Sequence, residues 1–430
     1  MDLEQERSLD GTYIMPTFGR LPVLFTHGEG MRLYDDTGKE YLDFLAGIGV
    51  CCLGHGHPAL VNALSHQAEQ LLHVSNYYYI EHRAEVAALL SKLANNDMEG
   101  AERLARALCS GDAQAAMDAA QPAAGEQVWQ TFFANSGAEA NECSLKLARL
   151  YAQRHGNGGN AIVCLHGGFH GRTLETLAAT MQERLQKPFQ PLPGGFLMCE
   201  PNDIDGLREL FAQHGKQIAG ILIEPIQGES GVHPLTAEFV HEAAELAHAA
   251  GALLISDEVQ AGMFRCGTPF AIQSLGITPD IMSLAKGIAG GVPCGACVAR
   301  AEIARTFAPG EHGTTFGGSN LAVAAAEAVL CELICGAYGE HAVHAGTYLM
   351  ERLDTLPCVT EVRGRGLMVG CDLAPDVCDA HDLVADLLDD GFVLNATSDH
   401  TLRFLPPLIC TPDDIDLLVD ALAHRLEQAG

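Results

Sequence analysis

Between Val128 and Ala299 the chain alternates short, unbroken apolar runs with longer stretches whose apolar residues recur every three or four positions. The runs are Val128–Phe133, Ala161–Leu165, Phe196–Cys199, Ile218–Ile223, Ala252–Ser256, Ile281–Leu284 and Cys294–Ala299. Runs of this length and continuity predict strands buried on both faces. Between two of them, Thr236–Ala250 puts Phe239, Ala243, Leu246, Ala247 and Ala250 on one helical face. The alternation predicts an α/β domain with a mostly parallel sheet covered by helices.

The flanks follow other patterns. Near the N-terminus, Met31–Tyr34 and Tyr41–Phe44 predict strands around the turn Asp35-Asp36-Thr37-Gly38, and Ala59–Leu72 predicts a helix. From about Leu321 a long Ala-rich helix, Leu321–Cys335, leads into shorter strands such as Leu367–Gly370 and Leu402–Leu405. We expect three parts: residues 1–65 joining a small α+β domain, 66–320 forming the large domain, and 321–430 completing the small one. Residues 95–127 are rich in Ala, Gly, Glu and Gln. They predict a surface insertion with helices near Ala101–Leu108 and Ala113–Ala120.

Charge narrows the partners. The 430 residues carry 25 Lys and Arg against 55 Asp and Glu, a net charge of −30. Such acidity disfavours nucleic acid and anionic membranes. No apolar run is long enough to span a bilayer and the N-terminus has no apolar signal core, so a cytoplasmic location is expected. In that compartment the 15 Cys are read as reduced thiols. Cys294-Gly-Ala-Cys297 reads as a strand of small residues, Cys51-Cys52 as packed small side chains, and Gly54-His55-Gly56-His57-Pro58 as a turn before a helix. No metal site is expected.

Ligands in parallel sheets gather beyond the strand C-termini, so the polar residues there are the candidates. After Val128–Phe133 come Asn135, Ser136, Gly137, Ala138 and Glu139. The Ser136/Glu139 spacing predicts a capping box, and small residues at a helix start leave N–H groups open to an anion. Phe169 and Arg172 stand among glycines after Ala161–Leu165, suggesting a stacking face and a carboxylate clamp. Glu224 follows Ile218–Ile223, and Asp257 follows Ala252–Ser256. Lys286 follows Ile281–Leu284 and precedes Gly287, Gly290 and Gly291. It is either a surface lysine ending a strand or a desolvated amine able to take a carbonyl group. A phosphate cradle, a stacking aromatic, a buried acid, a carboxylate-binding Arg and a Lys together describe a site for pyridoxal 5'-phosphate, PLP. A metal-dependent hydrolase built on Asp257, Glu258, His55, His57, His166 and His170 is the rival from another class.

Motifs along nearly the whole chain resemble the class III (ornithine-type) aminotransferases of PLP fold type I. They are RLYDDTGKEYLDFLAGIGV, GHGHP, NSGAEANE, FHGRT, IEPIQGESG, ISDEVQAG, TPDIMSLAKGIAGG, HGTTFGG, EVRGRGLMVG and LRFLPP. The resemblance implies that Lys286 takes the cofactor's aldehyde and that Asp257 holds its ring nitrogen protonated. It implies that Ser136, Gly137 and Ala138 bind the phosphate, helped by Thr315 from a second copy in a homodimer. Phe169 would stack on the ring and Gln260 would lie near its phenolic oxygen. Arg172 and Arg403 would bind substrate carboxylates, Glu224 would pair with Arg403 when no carboxylate is present, and Ser319 would stand on the substrate side. The chain departs from the family pattern at Ala261, Phe264, Cys266 and Ser319. The implied reaction moves the δ-amino group of N-acetyl-L-ornithine to 2-oxoglutarate. Succinylornithine, N-succinyl-diaminopimelate, ornithine and 4-aminobutyrate are the alternative donors within the class.

Overall fold

A computed structural model describes residues 1–429. The strands of the central sheet are β4 (Trp129–Ala134), β5 (Ala161–Leu165), β6 (Phe196–Cys199), β7 (Ile218–Ile223), β10 (Leu253–Asp257), β11 (Ile281–Leu284) and β12 (Gly295–Arg300). They run in the order β4-β12-β11-β10-β7-β5-β6. Only β12 is antiparallel to its neighbours. All seven apolar runs are therefore strands, each within a residue of the range read from the sequence. Strands β5, β7 and β10 are buried along their whole length, which is why they read as continuous rather than alternating. The Cys294–Cys297 spacing falls at the start of β12, with both side chains buried.

Around this sheet lie three smaller ones. Strands β1 (Phe25–Glu29), β2 (Arg32–Asp35) and β3 (Glu40–Asp43) form a meander. Asp35 Oδ1 closes its turn by accepting the N–H groups of Thr37 and Lys39, each at 2.9 Å. β3 then pairs in parallel with β15 (Phe392–Val393), matching Leu42 with Phe392. The N-terminal segment thus shares a sheet with the C-terminal part. Strands β13 (Val359–Arg365), β14 (Met368–Leu373), β16 (Asn395–Ser398) and β17 (Thr401–Phe404) form an antiparallel sheet. A two-stranded ribbon, β8 (Ile226–Gln227) with β9 (His233–Pro234), follows β7.

Residues 95–127 form the helices Met98–Ser110 and Ala113–Ala120. They are not confined to the surface. Met98–Ser110 buries Ala101, Leu104 and Ala105 and packs on the helix Asn320–Cys335. Small alanines let the two axes approach, so Cys331 Sγ comes within 3.8 Å of the Ala105 carbonyl. Among the described residues no single helix is long and apolar enough to cross a membrane.

Candidate active site

The C-terminal ends of β4, β5, β7, β10 and β11 open on a cavity of about 400 Å³. Ser136, Gly137, Ala138, Phe169, Arg172, Glu224, Asp257, Gln260 and Lys286 all line it. The sheet brings them together because parallel strands present their final residues along one edge.

One wall is the start of the helix Gly137–Arg154. Ser136 caps it, its Oγ accepting the Glu139 N–H at 3.2 Å. Glu139 does not complete the expected capping box. It reaches past Ser136 to the backbone N–H of Asn135 at 2.8 Å. Gly137 admits no side chain, since a Cβ would meet Val259 Cγ1 at 2.8 Å. The backbone is thereby brought against the cavity, with N–H groups and the positive helix end facing it.

Asp257 ends β10 and is buried. Its Oδ2 accepts hydrogen bonds from Asn141 Nδ2 at 2.7 Å and His170 Nδ1 at 2.8 Å, and its Oδ1 accepts one from the Val259 N–H at 3.0 Å. Three donors hold the carboxylate in one orientation. Burial pulls His170 toward neutrality, but the bond to Asp257 outweighs it and holds the proton more firmly than usual. Beside them Glu224 accepts the Phe169 N–H at 2.8 Å. Burial pushes the Glu224 carboxyl up to about 8.

Lys286 follows β11 in the left-handed region, at φ 48°. Such a backbone is strained for a residue with a side chain and is found where position matters. Its remaining exposure is to the cavity it lines. Enclosure lowers its proton affinity, reinforced by Arg403 and opposed by Glu229, Asp257 and Glu224. A buried amine of this kind is readily neutral and nucleophilic.

The expected pairing of Glu224 with Arg403 is not what the fold makes. Arg403 Nη1 bonds to Glu229 Oε1 at 2.7 Å, to Gln260 Oε1 at 3.1 Å and to the Gly228 carbonyl at 3.1 Å. Gln260 Nε2 also donates to Glu229 at 3.0 Å. Burial raises the Glu229 carboxyl, but Arg403 and Lys286 outweigh it and hold it below the ordinary range. The β8–β9 ribbon turns the chain after Glu224, so the second carboxylate of the IEPIQGESG loop meets the guanidinium.

Arg172 is exposed at the opening, its guanidinium 5.5 Å from the centre of the Phe169 ring. Thr315 and Ser319 do not line the cavity among the described residues. Thr315 is exposed, next to Thr314, whose hydroxyl accepts Asn135 Nδ2 at 3.1 Å. Ser319 precedes the helix Asn320–Cys335 without a side-chain cap bond.

A larger cavity, about 610 Å³, lies against β4 and β12. Its Lys92 is already paired with Glu126 at 2.8 Å, and its walls are mostly Ala, Phe, Trp and Cys. It offers no converging reactive groups, so the smaller cavity is the candidate. The hydrolase reading finds no support in the side chains. Among the described residues no three His, Cys, Asp or Glu converge as metal ligands. His55 and His166 are instead paired with Asp43 and Glu200.

The donor set fits PLP: a helix start for the phosphate, a carboxylate fixed by three donors for a ring nitrogen, and a neutral-prone lysine for an aldehyde. Comparison with known proteins agrees with this chemistry. The acetylornithine aminotransferase of Methanocaldococcus jannaschii is 41% identical over 430 residues, covering 98% of each chain. The solved N-acetylornithine aminotransferase of Stenotrophomonas maltophilia K279a superposes with a TM-score of 0.77 at 30% identity, covering 98% of each chain. An ornithine aminotransferase of Toxoplasma gondii, with PLP at partial occupancy in its active site, gives 0.84 at 28% identity over 99% of this chain and 94% of that one. The family model described as aminotransferase class-III matches residues 14–426, and the chain belongs to that family.

Proposed function

We propose that this protein transfers the δ-amino group of N-acetyl-L-ornithine to 2-oxoglutarate, with PLP as cofactor. The products are N-acetyl-L-glutamate 5-semialdehyde and L-glutamate, a step of arginine biosynthesis. The observation that carries the reading is the meeting of Lys286, Asp257 and the helix start at Ser136 around one cavity. Membership of the class-III family and the similarity to acetylornithine aminotransferases support it.

When bound, PLP supplies an aldehyde for the amine and a ring that withdraws electrons from the carbon beside it. Asp257, held in place by Asn141, His170 and Val259, would face the ring nitrogen. Ser136, Gly137 and Ala138 would hold the phosphate, Phe169 the ring face and Gln260 the phenolic side. Lys286 Nζ, prone to be neutral, would accept and return a proton at the substrate's δ-carbon.

Arg172 at the opening would hold the donor's α-carboxylate and so present the distal amine. Arg403 would bind the α-carboxylate of 2-oxoglutarate. While the donor is bound, Glu229 masks the Arg403 charge; this is the switch first assigned to Glu224. Exposed Tyr77, Tyr78, Tyr79 and Phe316 beside Thr315 suit a homodimer in which Thr315 reaches the other copy's phosphate.

Lys286→Ala should lower turnover by about 10⁴-fold, the upper range for a positioned acid–base group, while the protein stays folded. Borohydride should fix the cofactor to the Lys286 peptide of the wild type, read as a mass increase. Normal turnover in Lys286→Ala would end the reading. Specificity constants across N-acetylornithine, succinylornithine, N-succinyl-diaminopimelate, ornithine and 4-aminobutyrate test the donor. A higher constant for any of the other four would replace it.

A further inference from the structure

Glu224 lines the cavity, yet the proposed transamination leaves it without a task once Glu229 holds Arg403. It is 6% exposed and has no ion-pair partner among the described residues. Two cations that would suit it are engaged elsewhere, His170 with Asp257 at 2.8 Å and Arg403 with Glu229 at 2.7 Å. What Glu224 does hold is the loop after β5. Its Oε2 accepts the Phe169 N–H at 2.8 Å. The residues on either side are tied to uncharged groups. The Gly168 carbonyl accepts Gln182 Nε2 at 3.1 Å, and the His170 N–H bonds to Thr180 Oγ1 at 2.9 Å. Gly168 lets the loop close over the carboxyl, since a Cβ there would lie 3.1 Å from His170 Nε2 and 3.4 Å from Glu224 Oε2. The Phe169 ring in turn faces the Arg172 guanidinium, 5.5 Å from its centre.

A buried carboxylate without a cation is costly, and a proton removes that cost. Oε2 is occupied by the N–H it accepts, so the proton belongs on Oε1. That oxygen makes no hydrogen bond among the described residues and is left for the cavity. We propose that Glu224 works as an uncharged acid: Oε2 fixes Phe169, and the O–H at Oε1 is a donor toward an oxygen of a bound anionic ligand. The proposal rests on the reading of the cavity as a site for PLP and carboxylate substrates. Burial holds the Glu224 carboxyl up at about 8; Asp257 reinforces this, and His170, the Phe169 N–H and Lys286 oppose it. Ionised, Glu224 would add a negative charge beside the Asp257 carboxyl in a cavity whose ligands are themselves anions.

The other buried glutamate, Glu258, lacks this arrangement. Both of its oxygens are spent inside the fold. Oε1 accepts Ser256 Oγ and the Ile272 N–H, each at 2.9 Å, and Oε2 accepts the Ala271 N–H at 2.7 Å. It forms no part of the cavity wall. Burial alone therefore does not single out Glu224. The free oxygen at the cavity does.

The test compares the full wild-type chain with Glu224→Gln and Glu224→Ala. Gln mimics the uncharged acid, with an oxygen for the Phe169 N–H and an amide donor for the cavity. Ala removes both. In equilibrium titration with PLP at pH 7, Glu224→Gln should bind within about twofold of wild type and Glu224→Ala about tenfold more weakly. From pH 7 to pH 9 the wild type should lose about tenfold in affinity relative to Glu224→Gln, because binding then requires a proton. Thermal unfolding without cofactor reads the same proton independently. A carboxyl whose proton affinity rises on folding stabilises fully below about pH 4.3, and that contribution is lost as pH rises to about 8. The wild-type Tm should therefore fall relative to that of Glu224→Gln across this window. If Glu224→Ala misfolds, Glu224→Gln decides alone. Parallel pH dependence of wild type and Glu224→Gln in either measurement overturns the proposal. A wild type that does not bind PLP at all would instead end the reading of the cavity, and the proposal with it.

Discussion

Two of the His–Asp pairs among the described residues have equal length in very different settings. His170–Asp257 and His55–Asp43 both bond at 2.8 Å. In each the imidazole keeps its proton more firmly than a free histidine. The first is sealed, with side chains 1% and 3% exposed, whereas the His55 side chain remains 19% exposed. Their other contacts separate them further. Asp257 is gripped by Asn141 and Val259 and acts across the cavity on Lys286. Asp43 spends its second oxygen on two backbone N–H groups, and its histidine is held to Gly30 by two backbone bonds. Bond length therefore says little about the role of such a pair. The direction of the remaining contacts decides it.

Three substitutions sharpen or break this contrast. The largest effect is expected for Asp257→Asn, which should cost turnover about a thousandfold in a folded protein. Asp43→Asn keeps an acceptor for Leu45 and Ala46 and should cost less than about tenfold. Steady-state rates check both, and equal losses would erase the distinction. His170→Gln should cost roughly ten- to a hundredfold, as for groups that orient a charged ligand, with cofactor affinity weakened alongside. Equilibrium titration with the cofactor reads the second quantity; unchanged affinity and rate would leave His170 a packing residue.

The smallest effect lies in the pH dependence of stability. His55 titrates at about 9 in the folded chain, above the ordinary histidine value of 6.5. The stabilisation from its pair with Asp43 is therefore complete below about pH 6.5 and is lost as pH rises to about 9. The Tm advantage of wild type over His55→Gln should shrink across that window. An advantage that grew with pH would contradict the ion pair.

The strands were legible because a sheet buried on both faces leaves no alternation to misread. The residues at the strand ends were legible for a related reason, since Asp257, Glu224 and Lys286 are polar residues directly after apolar runs. The partner of Arg403 was not. Glu224 and Glu229 share one loop, and the choice depends on how the β8–β9 ribbon turns, which no local pattern records. The helix Met98–Ser110 misled in another way. Its small alanines look like surface filler, yet small size is what lets it pack on Asn320–Cys335. His55 reads only as part of a turn, because its pairing needs the backbone of Gly30 and the carboxylate of Asp43.

The pairing of β3 with β15 bears on the order in which the molecule assembles. The Phe44 N–H bonds to the Val393 carbonyl at 2.7 Å, Leu405 N–H to the Phe44 carbonyl at 2.8 Å, and Leu408 N–H to the Cys52 carbonyl at 2.7 Å. The segment from Phe44 to Cys52, which includes the cavity wall at Val50, is thus pinned by residues made after the whole central sheet. A ribosome-bound chain can form the central sheet and the Lys286 loop long before it can close this wall. Contacts so distant in sequence are slow to form. Maturation of the site is then a late event, and the nascent chain carries its lysine in an open cleft until β15 and β17 arrive.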